Sequence, residues 1–122
     1  MTKILLVEDD SFLLTLYQDI LKQEGFAVST SSDGKDALNQ IKRNAWDLVL
    51  LDVILPHMTG FEIVRSLQKE HFHLSCPLIF LTNLDSSSQL QDAKKLADGY
   101  LIKSNLNPNQ FISEVKKYLR KK

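Results

Sequence analysis

The stretch Asp47-Leu48-Val49-Leu50-Leu51-Asp52-Val53-Ile54-Leu55-Pro56-His57-Met58-Thr59-Gly60 decides how this chain folds. Leu48 to Leu51 form an unbroken apolar run that stops at the carboxylate of Asp52. A strand without polar alternation is covered on both faces, as the central strands of a parallel sheet are. Pro56 and Gly60 then mark a loop. Asp52 therefore stands where a buried strand emerges, and open α/β sheets bind ligands just outside the carboxyl ends of their strands. Taken alone, it reads equally well as a strand terminator that solvates a turn.

Working outward, the same pattern recurs. Lys3 to Val7 is an apolar strand ending in Glu8-Asp9-Asp10, with Ser11 placed to cap a helix whose stripe is Leu13, Leu16, Tyr17, Ile20 and Leu21. Gly25 stops that helix. Phe26 to Thr30 is a less apolar strand suited to an edge, and Ser31-Ser32-Asp33-Gly34 a turn. Ala37, Leu38 and Ile41 mark a second helix running to about Asn44. Gly60 begins a third, with Phe61, Val64 and Leu67 inward, whose end is blurred by the polar linker His71 to Ser75.

Leu78 to Leu81 is a fourth strand, ending in Thr82-Asn83, and Asp85 to Ser88 a capping turn before a thin helix carried by Leu90, Ala93 and Ala97. Tyr100 to Ile102 is a fifth strand, ending in Lys103-Ser104. Asn107 can cap a last helix with Pro108 in its first position and Phe111, Ile112, Val115, Tyr118 and Leu119 inward. Lys116, Lys117, Arg120, Lys121 and Lys122 crowd its end, where cations suit the helix dipole. Strands alternating with helices at this spacing specify parallel strands, right-handed crossovers and a three-layer, doubly wound α/β domain.

Composition bounds the function. At 122 residues a single domain is expected over the whole chain, with no output domain. The 15 basic and 15 acidic side chains cancel, which gives no electrostatic case for nucleic acid or a membrane as main partner. The lone Cys76 fits a reducing compartment, no apolar run has the length of a membrane span, and Met1-Thr2-Lys3 lead straight into a strand. A cytoplasmic protein is expected.

The strand ends carry the chemistry. Glu8 and Asp9, then Asp52, Thr82 and Lys103 should meet along one sheet edge. Clustered carboxylates repel by roughly 4 kcal/mol per close pair at an effective dielectric near 20. All-oxygen ligands of this kind suit Mg²⁺, which takes a few carboxylates plus a phosphoryl oxygen. A carboxylate flanked by Mg²⁺, an ammonium and a hydroxyl is equipped to attack phosphorus and hold the product as an aspartyl phosphate.

Ile4-Leu5-Leu6-Val7-Glu8-Asp9-Asp10, Leu50-Leu51-Asp52-Val53-Ile54-Leu55-Pro56 with Gly60, Thr82, and Tyr100-Leu101-Ile102-Lys103 together resemble the receiver domain of two-component response regulators, over essentially the whole chain. The resemblance implies a flavodoxin-like, five-stranded parallel sheet of order 2-1-3-4-5. It implies Asp52 as phosphoacceptor, Asp9 and the Ile54 backbone carbonyl as Mg²⁺ ligands beside Asp52, and Glu8 as an outer-shell ligand. Lys103 and Thr82 would assist the phosphoryl group, and Thr82 with Tyr100 would form the switch. The implied partners are a sensor histidine kinase or a histidine phosphotransfer protein, an unspecified downstream protein at the face of helix four, strand five and helix five, and a phosphorylation-dependent second copy. Asp10 matches no shared site position and reads as a solvated loop acid.

Three positions depart from the family pattern. Ser104 stands where a proline after a cis bond is usual, so the bond here is either trans or held in a strained cis form. Asn83 stands where a very small residue is usual, which would narrow access to the site. Leu96 stands where a glycine is frequent, which leaves the end of the fourth helix open. Ile54 and Leu84 occupy places that screen the phosphoryl group from water, and both are apolar, which implies slow self-dephosphorylation.

Other readings remain. Intact acids argue against a degenerate receiver used only as an interaction module, whereas Ser104 and Asn83 leave room for one. An aspartyl-phosphate hydrolase of the haloacid-dehalogenase type would carry its nucleophile after the first strand, with a second Asp two residues on, where this chain has Ile54. A nucleotide- or flavin-binding enzyme would need a glycine-rich loop where Glu8-Asp9-Asp10 stands. His57 reads as an exposed loop residue, His71 and His73 as a polar helix end, Cys76 as a buried apolar residue, and Trp46 as packing at the start of the third strand.

Overall fold

Runs of apolar residues become five strands. In the computed structural model, which describes residues 1–83 and 87–120, they are β1 (Lys3–Val7), β2 (Ala27–Ser31), β3 (Leu48–Asp52), β4 (Leu78–Thr82) and β5 (Gly99–Ile102). Between and after them lie α1 (Ser11–Gln23), α2 (Gly34–Ile41), α3 (Gly60–Lys69), α4 (Ser87–Leu96) and α5 (Pro108–Arg120), with a short 3-10 turn at Lys103–Asn105. All strands are parallel, in the order β2-β1-β3-β4-β5. The expected flavodoxin-like sheet is present, with β2 at an edge. Among the described residues no helix is long and apolar enough to cross a membrane.

The period of two along each strand divides the core. Leu5, Val7, Val49, Leu51 and Phe80 point to one face, where Ala37, Ile41, Ile63, Val64, Leu67 and Ala93 of α2, α3 and α4 cover them. Ile4, Leu6, Leu48, Leu50, Ile79, Leu81 and Leu101 point to the other, beneath Tyr17, Leu21, Phe111 and Val115 of α1 and α5. Tyr17 and Phe111 join the two helices, ring centroids 4.9 Å apart. β1, β3 and β4 are apolar throughout because both of their faces are covered.

Several local expectations shift. Asp10, not Ser11, caps α1: Ser11 already lies in the helix, and the Leu13 amide donates to Asp10 Oδ1 at 3.0 Å. Asp10 is therefore exposed but has a structural task. Gly25 does end this helix, in the left-handed region at φ 88°. Leu16 is 39% exposed, on the flank of the stripe and not in the core. β2 begins and ends one residue later than its sequence suggests, so Ser31 belongs to the strand and Asp33 caps α2. That helix stops at Ile41; Asn44 takes φ 54° and accepts from the Ser75 amide, tying this corner to the chain before β4.

α3 starts with a capping box between Thr59 and Glu62 and ends at Lys69. Phe61 is half-buried and sets its ring edge-on against Phe80, centroids 5.1 Å apart. α4 buries only Ala93 among its described side chains and closes at Leu96, which resolves where it ends; Ser87 and Ser88 are already helical. Leu84, Asp85, Ser86, Lys121 and Lys122 lie outside the described residues. Asn107 and Gln110 cap α5 reciprocally, with Pro108 in its first turn as expected. Trp46 is half-buried against the core, its Nε1 donating to the Gln40 carbonyl, and Cys76 is buried.

Candidate functional site

Register decides which strand-end side chains meet. Val7 pairs with Leu51, Asp52 with Leu81 and Thr82 with Ile102. Glu8, Asp52 and Lys103 thus follow in line at the carboxyl edge. By strand alternation they share the face of Leu6, Leu50 and Leu101, beneath α1 and α5. Thr82 has the alternation of Phe80 and falls on the α4 side, as does half-buried Tyr100, which pairs with Phe80. The edge is set closely by Gly60: a Cβ there would stand 2.5 Å from the Asp52 carbonyl oxygen, so only glycine lets α3 start against this strand.

Lys103 joins the acids. Its Nζ donates to Glu8 Oε1 at 2.5 Å and to Asp52 Oδ2 at 2.9 Å. The remaining oxygens are also engaged: Glu8 Oε2 accepts from the Asp10 amide, and Asp52 Oδ1 from the Ile54 amide, each at 3.3 Å. Glu8 is 0% and Asp52 4% exposed, so the pair of charges lies within the protein surface. Burial, and then the neighbouring Asp52, push the Glu8 carboxyl up from 4.5 to about 7 against the pull of Lys103. Burial pulls Lys103 down, but hydrogen bonds and charge from both carboxylates outweigh it and raise its pKa. One ammonium serves two acids, so Lys103 stays charged while Glu8 is only partly compensated.

A metal fits this donor set. Glu8, Asp9 and Asp52 each present a carboxylate oxygen, all within 4.8 Å of one another, with Asp9 exposed and the other two buried. Such an all-oxygen group, open on one side, matches the preference of Mg²⁺ for a few carboxylates and retained water. Ile54, in the loop after Asp52, has an exposed side chain. Thr82 is buried at the end of β4. Of the seven residues singled out from the sequence, Glu8, Asp9, Asp52 and Lys103 are drawn together; Ile54 and Thr82 flank them, and Tyr100 lies in β5, three residues before Lys103.

Three features were not read from the sequence. His57, at φ 69°, is exposed as expected, but it also pairs through Nδ1 with Asp33, while the Gly34 amide donates to the Pro56 carbonyl at 3.1 Å. These contacts clasp the loop after Asp52 to the start of α2. The His57 hydrogen bond holds the Asp33 carboxyl below its usual range. Second, among the described residues no peptide is cis, so the Lys103–Ser104 bond is trans and opens the 3-10 turn. Third, the Asn83 Oδ1 accepts from the Ser104 amide at 3.0 Å, joining the end of β4 to the turn that Lys103 begins. Proline at position 104 would have no amide to donate to Asn83, and a residue without a ring nitrogen at position 57 could not pair with Asp33, but nothing local in the sequence announces these long-range pairings.

A doubly wound parallel sheet with a polar site at its carboxyl edge defines the class. Residues 4–116 match the model of the response regulator receiver domain, and the chain belongs to that family. Such domains are the receivers of two-component response regulators and act as signalling switches. The chain is 35% identical to regulatory protein VanRc of Enterococcus gallinarum, over 98% of this chain and 50% of that protein. It is likewise 35% identical to the alkaline phosphatase synthesis transcriptional regulatory protein PhoP of Bacillus subtilis, over 98% and 49%. It thus spans about half the length of these curated relatives. Among solved structures it resembles the BeF3-activated N-terminal receiver domain of Klebsiella pneumoniae RstA, at 31% identity and TM-score 0.87, covering 98% of this chain and 99% of that one. A CheY-like receiver from Methanospirillum hungatei aligns at 27% identity and TM-score 0.87, covering 99% and 95%.

Proposed function

We propose that this receiver is a phosphoacceptor in a two-component system or phosphorelay, with Asp52 taking the phosphoryl group from a phosphohistidine of a sensor kinase or phosphotransfer protein. The observation that carries the reading is the Lys103 ammonium bonded to both Asp52 and Glu8 beside Asp9. In the transfer, the N–P bond of the donor breaks as a P–O bond forms on Asp52, and the released electron pair returns to the imidazole, which regains a proton from solvent. Asp9, Asp52 and the Ile54 carbonyl would hold Mg²⁺ directly and Glu8 through water. Bound there, the ion supplies positive charge against the phosphoryl oxygens.

Lys103 then balances one phosphoryl oxygen, and Thr82 donates a hydrogen bond to another. Movement of Thr82 toward the site draws Tyr100 inward and changes the α4–β5–α5 face, which a downstream protein or a second copy reads. Half-burial of Tyr100, with Lys94 Nζ 5.9 Å from its ring centroid, supports its place on that face. Residues 1–122 act in this reading as one receiver unit.

The test is direct. The protein is incubated with acetyl phosphate and Mg²⁺, and intact mass is measured for one added phosphoryl group. One adduct on the wild type, absent from Asp52→Asn, is the expected result. No adduct on the wild type would make the chain a phosphorylation-independent interaction module. An adduct that persists in Asp52→Asn would sink the site assignment.

A further inference from the structure

The 3-10 turn at Lys103–Asn105 begins without a side-chain cap of its own, because Ile102 at its N-cap position has no side-chain oxygen to offer. The acceptor comes from the neighbouring strand end. Thr82 and Ile102 are the last paired residues of β4 and β5; one step on, the backbones part and Asn83 Oδ1 bonds the Ser104 amide at 3.0 Å. Ser104 can donate only because it is not proline, and Asn83 can reach only because it is longer than alanine or glycine. The two departures from the family pattern are therefore one structural unit. That unit sits between Lys103, whose Nζ contacts Asp52 and Glu8, and Thr82, at the same edge.

We propose that Asn83 is a positioning residue for the phosphorylation of Asp52: by capping the turn that follows Lys103, it fixes the backbone from which the lysine reaches the acids and ties it to the end of β4. The inference rests on the phosphoacceptor reading, and it gives Asn83 a supporting task where the sequence suggested an obstruction. With its Oδ1 engaged by Ser104, the side chain serves as a latch between two loops. A small residue at position 83 would leave the Ser104 amide to water and let Lys103 sample positions away from Asp52.

Two measurements on the full chain test it. Amide hydrogen exchange of Ser104 in the metal-free protein should accelerate about threefold to tenfold in Asn83→Ala, the range a single net hydrogen bond sets. It should stay slow in Asn83→Asp, which keeps the acceptor. With acetyl phosphate and Mg²⁺, Asn83→Ala should form the adduct about threefold to tenfold more slowly at saturating donor, with the half-saturating donor concentration unchanged. Unaltered Ser104 exchange in Asn83→Ala would overturn the latch. Faster exchange with an unchanged adduct rate would overturn its positioning role. Faster adduct formation would show Asn83 to be an obstruction instead. A wild type that takes no phosphoryl group refutes the functional reading and the positioning role with it, whereas the exchange data still decide whether the latch exists.

Discussion

Lys103 Nζ lies 2.5 Å from Glu8 Oε1 and 2.9 Å from Asp52 Oδ2, joining residues from opposite ends of the chain. Each partner is nearly buried, so this ammonium offsets charge where water cannot. Replacing it with an apolar side chain of similar length leaves Asp52 and Glu8 facing each other without a counter-charge. Lys103→Met is expected to lose roughly 3–5 kcal/mol of metal-free stability at pH 8, as removal of one member of a buried pair does. The loss shrinks at pH 5, where Glu8 takes up a proton. Denaturant unfolding at the two pH values, with EDTA present, checks this.

Glu8 makes the wild type itself pH-sensitive. Its folded carboxyl titrates at about 7 against 4.5 ordinarily, so between those values the unfolded chain has released the proton and the folded chain has not. The folded state binds more protons there, and stability falls as pH rises through the window. Below pH 4.5 there is no effect, and above about 7 it is constant. The expected size is on the order of 3 kcal/mol. Thermal melts of the metal-free protein from pH 4 to 8 should show the decline, and Glu8→Gln should flatten it. An unchanged slope in the variant would assign the decline elsewhere.

The His57–Asp33 contact gives the opposite sign. Its hydrogen bond holds folded Asp33 below 3.8, so the clasp adds stability above that value and loses it as pH falls through the folded value. His57→Ala should therefore melt below the wild type near neutrality, with the two curves converging as acidification carries the pH below 3.8 and Asp33 takes up its proton. Paired melts across that range give the answer; parallel curves would mean that Asp33 does not feel His57.

Ile54 stands 65% exposed, two residues beyond Asp52, with no polar side-chain atom to orient a water. Slow loss of the phosphoryl group is the expected consequence. Ile54→Asn, which supplies an amide at this position, should speed that loss at least about threefold, equivalent to roughly 0.7 kcal/mol of barrier. The decay of the isolated adduct, followed by intact mass, measures it directly. An unchanged half-life would remove the side chain of Ile54 from any role in shielding.

Much of the fold was legible because its signals are local. Leu48 to Leu51 need only their own lack of polar alternation to announce a strand covered on both faces, and Asp52 needs only to follow them. Asn107 and Pro108 carry their capping chemistry within four residues. Capping could also mislead: Ser11 and Asp10 are both good caps, and only the turn geometry selects the aspartate. Leu16 fits the apolar stripe by spacing, yet it lies at the flank because α1 presents a narrower face to the sheet.

What the sequence determined by itself was the set of strands, their alternation with helices, and the acids, hydroxyl and lysine left at their ends. Tertiary structure alone decided which of these meet. Parallel register and the period of two place Glu8, Asp52 and Lys103 on one side of the edge, and Thr82 with Tyr100 on the other. It also decided that Glu8 is pushed up toward neutrality, that His57 clasps Asp33, and that Asn83 caps the turn after Lys103. Run length and periodicity are properties of neighbouring residues, whereas burial, charge compensation and loop-to-loop hydrogen bonds exist only once the sheet has closed its register.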